Sequence, residues 1–193
     1  MVVEKLCPEK SWCLPEKKHF WARAGLPPAL ASADHELISQ ANALYLLALE
    51  HIQPLIYYLT AQAHLFPVSL IPDSFGQIES LTVFVSTLGH KIDQLMNDFS
   101  RNNQTLELIL LDAWSSESLE ALNRYFDHHL RQKHGFGTRR FSPGYGSVDI
   151  RMNLFIVKEL LQVPESEIKV LESGVMLPRK TTTCLIGWHH EPK

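Results

Sequence analysis

The stretch from Gln104 to His134 constrains most strongly what this chain can fold into. It runs for about thirty residues without glycine or proline, the residues that most often interrupt a helix, and therefore predicts one long α-helix. Gly135 and Gly137 follow directly and are expected to end that helix. At a rise of about 1.5 Å per residue the helix is about 45 Å long. Every fold that this chain can adopt must therefore contain this long helix.

A second helical pattern lies in the amino-terminal half. Apolar residues within Leu37–Leu49 follow helical spacing, and Ser32 or Asp34 is the expected N-cap. Pro54 is expected to end or kink this helix. We interpret Leu55–Ala63 as a further helical segment beyond the proline.

Strand signals lie on both sides of the long helix. The clearest is Leu81–Ser86, which is rich in β-branched and aromatic residues and is followed by Gly89. Three later segments are also predicted to be strands: Glu167–Leu171, Gly174–Leu177 and Thr182–Trp188. Two shorter helices complete the pattern, His90–Asn102 and Asp149–Leu161. This order predicts an α+β fold, a single domain with a mainly antiparallel twisted sheet flanked by helices.

Chain length and local composition predict the domain organisation. A chain of 193 residues can form one domain with a buried core. Residues 1–30 mix charges, prolines and tryptophans without a period. We therefore expect an irregular N-terminal arm there, with Trp12, Phe20 and Trp21 packed on the body. Residues 31–193 are expected to form the α+β domain.

The composition argues against several functional classes. A net charge of −3 argues against nucleic-acid binding, which usually requires a basic surface. No apolar run approaches 18 residues and no signal-peptide pattern is present, so we expect no membrane association and a cytoplasmic location. The three cysteines lack framework spacing, which argues against a disulfide-rich secreted protein. The sequence also contains no Gly-x-Ser-x-Gly motif and no glycine loop for dinucleotides or phosphates.

Two groups of histidines invite a metal-binding interpretation: His128, His129 and His134, and the pair His189 and His190. Adjacent residues on a helix point in different directions, unlike the i, i+4 pairs of helical zinc sites. We therefore interpret these side chains as surface histidines.

The segment Arg139–Gly146 carries the strongest indication of a ligand site. Arg140 supplies a planar guanidinium with several donors, suited to a carboxylate or a phosphate. Pro143 and Gly144 predict a tight turn with positive φ at the glycine, and Tyr145 adds a flat ring with a hydroxyl. Such a loop fits a ligand with an anionic end and a flat heterocycle. A solvated Pro-Gly corner is the alternative.

A polar stripe interrupts the apolar long helix. Asp112, Ser116 and Glu120 lie four residues apart and share one helix face. One interpretation is that Glu120 contacts a ligand while Asp112 has a structural role. The other is a solvated seam in which Glu120 pairs with Arg124, four residues further on.

Together these motifs resemble a known family. The segment Arg140–Tyr145 is similar to the Arg-x-x-x-Gly-Tyr signature of the activation domain of cobalamin-dependent methionine synthase. Three further stretches agree with that family in the same order: Ser86–Gly89, Leu111–Ser116 leading to Glu120, and Glu172–Thr181. The resemblance extends from Leu81 to Trp188, about half of the chain.

The resemblance implies S-adenosylmethionine as the ligand, bound in a shallow groove. Arg140 would pair with the methionyl carboxylate, and Glu120 would hold the amino group. The adenosine would lie against the backbone of Ser142, Gly144 and Tyr145. The chain differs from the family in a shorter segment between Glu120 and Arg140. It also lacks an acidic N-terminal residue and a C-terminal tyrosine that the family places at the site.

The resemblance further implies a stand-alone activation domain that supports reductive remethylation of a corrinoid methyltransferase. Its partners would be a corrinoid-binding protein or the methionine synthase core, either of which carries the cobalamin, and a flavodoxin-like electron donor. The alternative, favoured by the shorter segment and by the missing C-terminal tyrosine, is a non-catalytic binding or assembly module that kept the fold and the partner surface but lost cofactor binding. The protein would supply position and not a nucleophile. Whether it is an enzyme or a methyltransferase accessory stays open.

Overall fold

The computed structural model describes residues 1–26 and 35–189. Its helices are α1 (Lys17–Arg23), α2 (His35–His51), α3 (His90–Arg101), α4 (Thr105–His134) and α5 (Met152–Leu154), which continues as a π-helical turn over Phe155–Leu160. Its strands are β1 (Glu4–Leu6), β2 (Leu55–Gln62), β3 (Ser80–Thr87), β4 (Lys169–Val170), β5 (Met176–Leu177) and β6 (Thr181–Trp188). Short 3-10 turns occur at Lys10–Cys13, Ala63–Leu65, Val68–Leu70 and Asp73–Phe75. Every helix in these two ranges is too short or too polar to span a lipid bilayer.

A four-stranded antiparallel sheet forms the centre of the molecule, in the order β1–β2–β3–β6. Strand β3 pairs along its whole length with β2 on one side and β6 on the other. Strands β4 and β5 form a separate antiparallel pair. The predicted α+β class, with a mainly antiparallel sheet flanked by helices, is confirmed.

The sheet is covered on both faces, which explains why strand β3 is buried at every position except Ser80. Phe84 belongs to the core under the long helix, whereas its neighbours Val83 and Val85 belong to the core on the opposite face. Successive strand residues point to opposite faces, so each face needs its own apolar set. Cys184 and Leu185 divide in the same way on β6.

The long helix predicted between Gln104 and His134 is confirmed as α4. Its fully buried side chains include Trp114 and Phe126. The Phe126 ring meets the rings of Tyr58 and Phe84 edge-on, each at a centroid distance of 5.1 Å. Helix α4 therefore lies across β2 and β3, and this position fixes the direction of its polar stripe.

The prediction of a second helical segment over Leu55–Ala63 is wrong. Residues Leu55–Gln62 form strand β2, which pairs with β1 and β3. The segment is short, apolar and aromatic, and such a run has no period that separates a buried strand from a buried helix. Pairing with β1 on one side and β3 on the other stabilises this segment as a strand. The expected stop near Pro54 is correct, since α2 ends at His51.

The N-terminal residues are more regular than the irregular arm expected there. Strand β1 adds to the edge of the sheet, and Cys13 and Phe20 are buried in the core under α4. Trp12 stacks on Tyr125 of α4 at 4.2 Å, so the expected packing on the body is found. The boundary expected between residues 30 and 31, and the N-cap at Ser32 or Asp34, lie outside the described residues.

The C-terminal elements occur in the predicted order but are shorter. The helix expected over Asp149–Leu161 comprises α5 and the π-helical turn. The Asp149 carboxylate accepts a hydrogen bond from the backbone N–H of Arg151 at 2.8 Å and so helps to begin the helical segment. The strands expected over Glu167–Leu171 and Gly174–Leu177 contract to two residues each.

Candidate ligand-binding site

The segment that follows α4 extends the sheet and thereby positions the candidate site. The backbone N–H of Phe141 donates to Leu185 on β6 at 3.0 Å, and that of Leu185 donates back at 2.7 Å. On α4, the Arg131 guanidinium donates to the carbonyls of Gly137 and Thr138 at 3.2 and 2.6 Å. A Cβ at Gly137 would lie 2.5 Å from the Trp188 ring, so only glycine permits this approach. The segment is held from two sides.

Arg140 and Glu120, the two side chains expected to hold the ends of an amino acid, contact each other. Arg140 Nη2 lies 3.2 Å from Glu120 Oε2, and Arg140 Nε lies 4.0 Å from Asp127 Oδ2. The Arg140 side chain is 21% exposed and the Glu120 side chain 48% exposed. The glutamate can therefore move more freely than the arginine. The partner of Glu120 lies twenty residues away on the next segment, and not one helical turn away on α4.

The turn expected at Pro143 and Gly144 is present. Gly144 has φ +95°, and its N–H donates to the Val148 carbonyl at 2.8 Å. The Val148 N–H donates to the Tyr145 carbonyl at 3.3 Å, which closes the turn. Tyr145 is at its tip and is 72% exposed. The positive φ predicted for Gly144 is confirmed, and the tyrosine ring faces solvent.

Ser142 faces the sheet with its side chain. Its Oγ lies 3.6 Å from Sγ of Cys184, which is buried in β6. Burial raises the pKa of the Cys184 thiol to about 11, so this cysteine is protonated and unreactive at neutral pH.

A cavity of about 540 Å³ lies beside Arg140. Its described lining residues come from two loops and the end of the sheet: Asp73, Ser74, Phe75, Gly76, Thr138, Arg139, Arg140, Phe141 and His189. The Phe75 and Phe141 rings meet edge-on at 6.1 Å in its wall. This volume lies in the range of small-molecule sites, and such sites combine apolar walls with a few polar groups. Ser142, Gly144 and Tyr145, the three residues expected beside the adenosine, are not among the residues that line it.

Glu120 lines a second cavity, of about 480 Å³, between α1 and α4. Its other charged and titratable lining residues are His19, Arg23, Glu117 and Arg124. Arg23 Nε contacts the nearly buried Glu117 carboxylate at 2.6 Å. The Arg140–Glu120 ion pair therefore joins two cavities, one lined by each partner.

The remaining polar residues of the α4 stripe have a structural role. Lys180 Nζ donates to Asp112 Oδ1 at 2.7 Å and to Ser116 Oγ at 2.8 Å. The Lys180 side chain is only 11% exposed. This contact fixes the start of β6 to α4. The interpretation of Asp112 as structural agrees with these contacts.

The histidines on α4 that invite a metal-binding interpretation make packing and hydrogen-bond contacts instead. His128 lies 3.1 Å from the Gln132 amide, and His129 stacks on Phe126. Within residues 1–26 and 35–189, no three His, Cys, Asp or Glu side chains lie close enough together to hold a metal ion. His190 lies outside those ranges.

His134 is expected to make folding sensitive to acid. It stacks on Trp188 at 5.0 Å, and burial lowers its pKa below the ordinary value of about 6.5. The stability contributed by neutral His134 is present above about pH 6.5 and is lost as the pH falls through the folded-state pKa, because the unfolded chain then binds the extra proton. His134→Phe keeps an aromatic ring on Trp188 but cannot titrate. Its Tm should fall less than that of the wild type between pH 7 and pH 5, whereas parallel losses would contradict this assignment.

Comparison with known proteins gives an informative likeness to a solved structure. No family model matches the chain, and no curated protein matches its sequence. The chain is similar to the crystal structure of the MetH reactivation domain bound to AdoHcy, with a TM-score of 0.70 and 16% identity, over 100% of this chain and 80% of that chain. At this identity the likeness shows the fold alone. The protein thus has the fold of the MetH reactivation domain, a single α+β domain built on an antiparallel sheet.

Proposed function

We propose that this protein binds S-adenosylmethionine through Arg140 and Glu120 and acts as an activation domain for a corrinoid methyltransferase. One observation carries the proposal: Arg140, which lines the cavity of about 540 Å³, forms an ion pair with Glu120, which lines the second cavity. The fold adds support, because the solved reactivation domain with this fold holds AdoHcy.

The charges of the ion pair match those of the ligand's amino-acid end. That end carries a carboxylate and an ammonium, and the pair offers a guanidinium and a carboxylate 3.2 Å apart. The ligand carboxylate would replace Glu120 as the partner of Arg140. The ligand ammonium would then pair with the Glu120 carboxylate. Opening the pair costs little, since exposed ion pairs contribute only about 0–1 kcal/mol. Asp127 keeps Arg140 in place during this exchange, because it flanks the Nε atom on the other side.

The protein's contribution to the reaction is position. When bound, S-adenosylmethionine supplies a sulfonium-activated methyl group for a corrinoid carried by a partner protein, with electrons from a flavodoxin-like donor. Arg140 and Glu120 would fix the amino-acid end of the ligand. The adjacent cavity wall is residues 137–141, which Arg131 and strand β6 hold in place. Holding a reacting group in one geometry reduces the entropic part of the barrier. Tyr145, exposed at the turn, is the residue we assign to the partner surface.

The second candidate is a non-catalytic binding module that kept the fold and the partner surface. The observation that favours it is the closed ion pair, in which Arg140 and Glu120 already satisfy each other. In this case the pair would be a structural link between α4 and the following segment. The partner would be the same, but no ligand would open the pair.

Calorimetric titration of the wild-type protein separates the two candidates. The proposed function predicts binding of both S-adenosylmethionine and S-adenosylhomocysteine with one site per chain. Absence of any binding at millimolar ligand would reject it and leave the binding module. A parallel pull-down with corrinoid proteins of the host tests the partner, and it should recover at least one of them in either case.

A further inference from the structure

The cavity beside Arg140 has a second wall that the sequence motifs do not include. This wall is the loop Asp73–Gly76, which ends with Gly76 at φ +61°. Phe75 anchors the loop, since its buried ring packs edge-on against Phe141. The backbone N–H of Asp73 donates to Ser147 Oγ at 3.2 Å. The loop and the turn after Tyr145 are thus joined, and they present a fixed surface to the cavity.

The groups that line the cavity form a chemically specific set. The segment after α4 contributes Arg139 and Arg140, and the loop contributes Asp73 and Ser74. Phe141, which is half-buried, also lines the cavity. A ligand that satisfies this set needs an anionic end, a flat ring, and hydroxyl or N–H donors. A nucleoside with a carboxylate-bearing tail has all three.

We infer that Asp73 is a specificity-determining residue that binds the nucleoside of the ligand. Its carboxylate accepts hydrogen bonds from the two ribose hydroxyls, while the carboxylate at the other end of the ligand pairs with Arg140. The inference rests on the proposed function and deepens it, since it assigns the nucleoside to the Asp73 wall of the cavity.

A carboxylate suits this role because it is an acceptor only, and neighbouring ribose hydroxyls can donate to its two oxygens at once. Hydrogen bonds to a charged acceptor are stronger than neutral ones. A neutral amide at the same position has only one acceptor oxygen, and its NH₂ group is a donor that cannot accept a hydrogen bond from a ribose hydroxyl. Asp73→Asn therefore removes the charge and one acceptor while it preserves the size of the side chain.

The test uses two ligands that share the nucleoside. S-adenosylhomocysteine carries the amino-acid end, and 5′-methylthioadenosine lacks it. Asp73→Asn should weaken the binding of both ligands tenfold or more, and by similar factors. Arg140→Ala should weaken only S-adenosylhomocysteine. The matched control is Asp98→Asn, an exposed aspartate on α3 that pairs with Arg101, and it should change neither affinity.

The outcomes separate this inference from the proposed function. Unchanged affinities in Asp73→Asn, with binding lost in Arg140→Ala, would overturn the role of Asp73 and leave the proposed function standing. Wild-type binding of methylthioadenosine alone, weakened by Asp73→Asn, would support the nucleoside wall and reject the amino-acid contacts. Wild type that binds neither ligand would overturn both. Because the Asp73 side chain is exposed, thermal unfolding of the variant should match wild type and confirm an intact fold.

Discussion

Arg140→Ala is expected to weaken binding of S-adenosylhomocysteine about thirtyfold. The substitution removes the guanidinium that we assign to the ligand carboxylate, and a charge-assisted pair at a partly buried position contributes about 2 kcal/mol. Each 1.4 kcal/mol corresponds to a factor of about ten in affinity. Calorimetric titration of wild type and variant measures the ratio directly.

The control for this prediction is Arg101→Ala, which removes an exposed arginine that also pairs with a carboxylate, 3.8 Å away on Asp98. It should leave the affinity unchanged. The Tm of Arg140→Ala should remain close to that of wild type, because the Glu120 carboxylate is half-exposed and stays hydrated when its partner is removed. A large loss of Tm together with unchanged ligand affinity would instead show that the Arg140–Glu120 contact is structural.

Gly174→Ala is expected to destabilise the protein by about 3 kcal/mol or more. Gly174 has φ +85°, where a residue with a Cβ is strained by about 1–2 kcal/mol. An added Cβ would also lie 2.4 Å from the Ile150 carbonyl oxygen and 2.7 Å from its carbon. These are backbone atoms, so they cannot move aside without displacing the start of α5. Urea unfolding measures the loss.

Gly144→Ala provides the matched comparison. Gly144 has a similar φ of +95° and faces the same residue, but its added Cβ would lie 3.4 Å from the Ile150 side chain. This is an ordinary van der Waals contact, so only the backbone strain remains, about 1–2 kcal/mol. Equal destabilisation of the two variants would contradict the description of the Gly174 contact. A more hindered residue, valine, at position 144 should also weaken ligand binding, because it would alter the turn.

The elements with a long, uninterrupted signal could be predicted from the sequence. Helix α4 has about thirty residues without glycine or proline, and β3 is β-branched and aromatic at its centre. Strand β2 could not be predicted with the same rules, because its character depends on β1 and β3 on either side. The short β1 has too few residues for any period, so its place in the sheet depends on pairing with β2.

The candidate site also combines features that the sequence predicts with features that depend on the folded structure. The turn at Gly144 was predicted, since glycine after proline is a local signal. The contact between Arg140 and Glu120 depends on the chain folding back along β6 after Gly135 and Gly137, and no spacing rule contains that path. Asp73 had no signal at all, because an exposed aspartate after a proline is typical of any loop. Only the cavity brings it into the same site as Arg140.

The most direct test of the proposed binding site is a crystal structure of the protein grown with S-adenosylhomocysteine. We expect the ligand carboxylate to lie within hydrogen-bond distance of the Arg140 guanidinium and the ligand amino group to contact Glu120. The present 3.2 Å contact between those two side chains should then be opened by the ligand. A ligand bound elsewhere, or an empty cavity at saturating concentration with the Arg140–Glu120 contact unchanged, would contradict it.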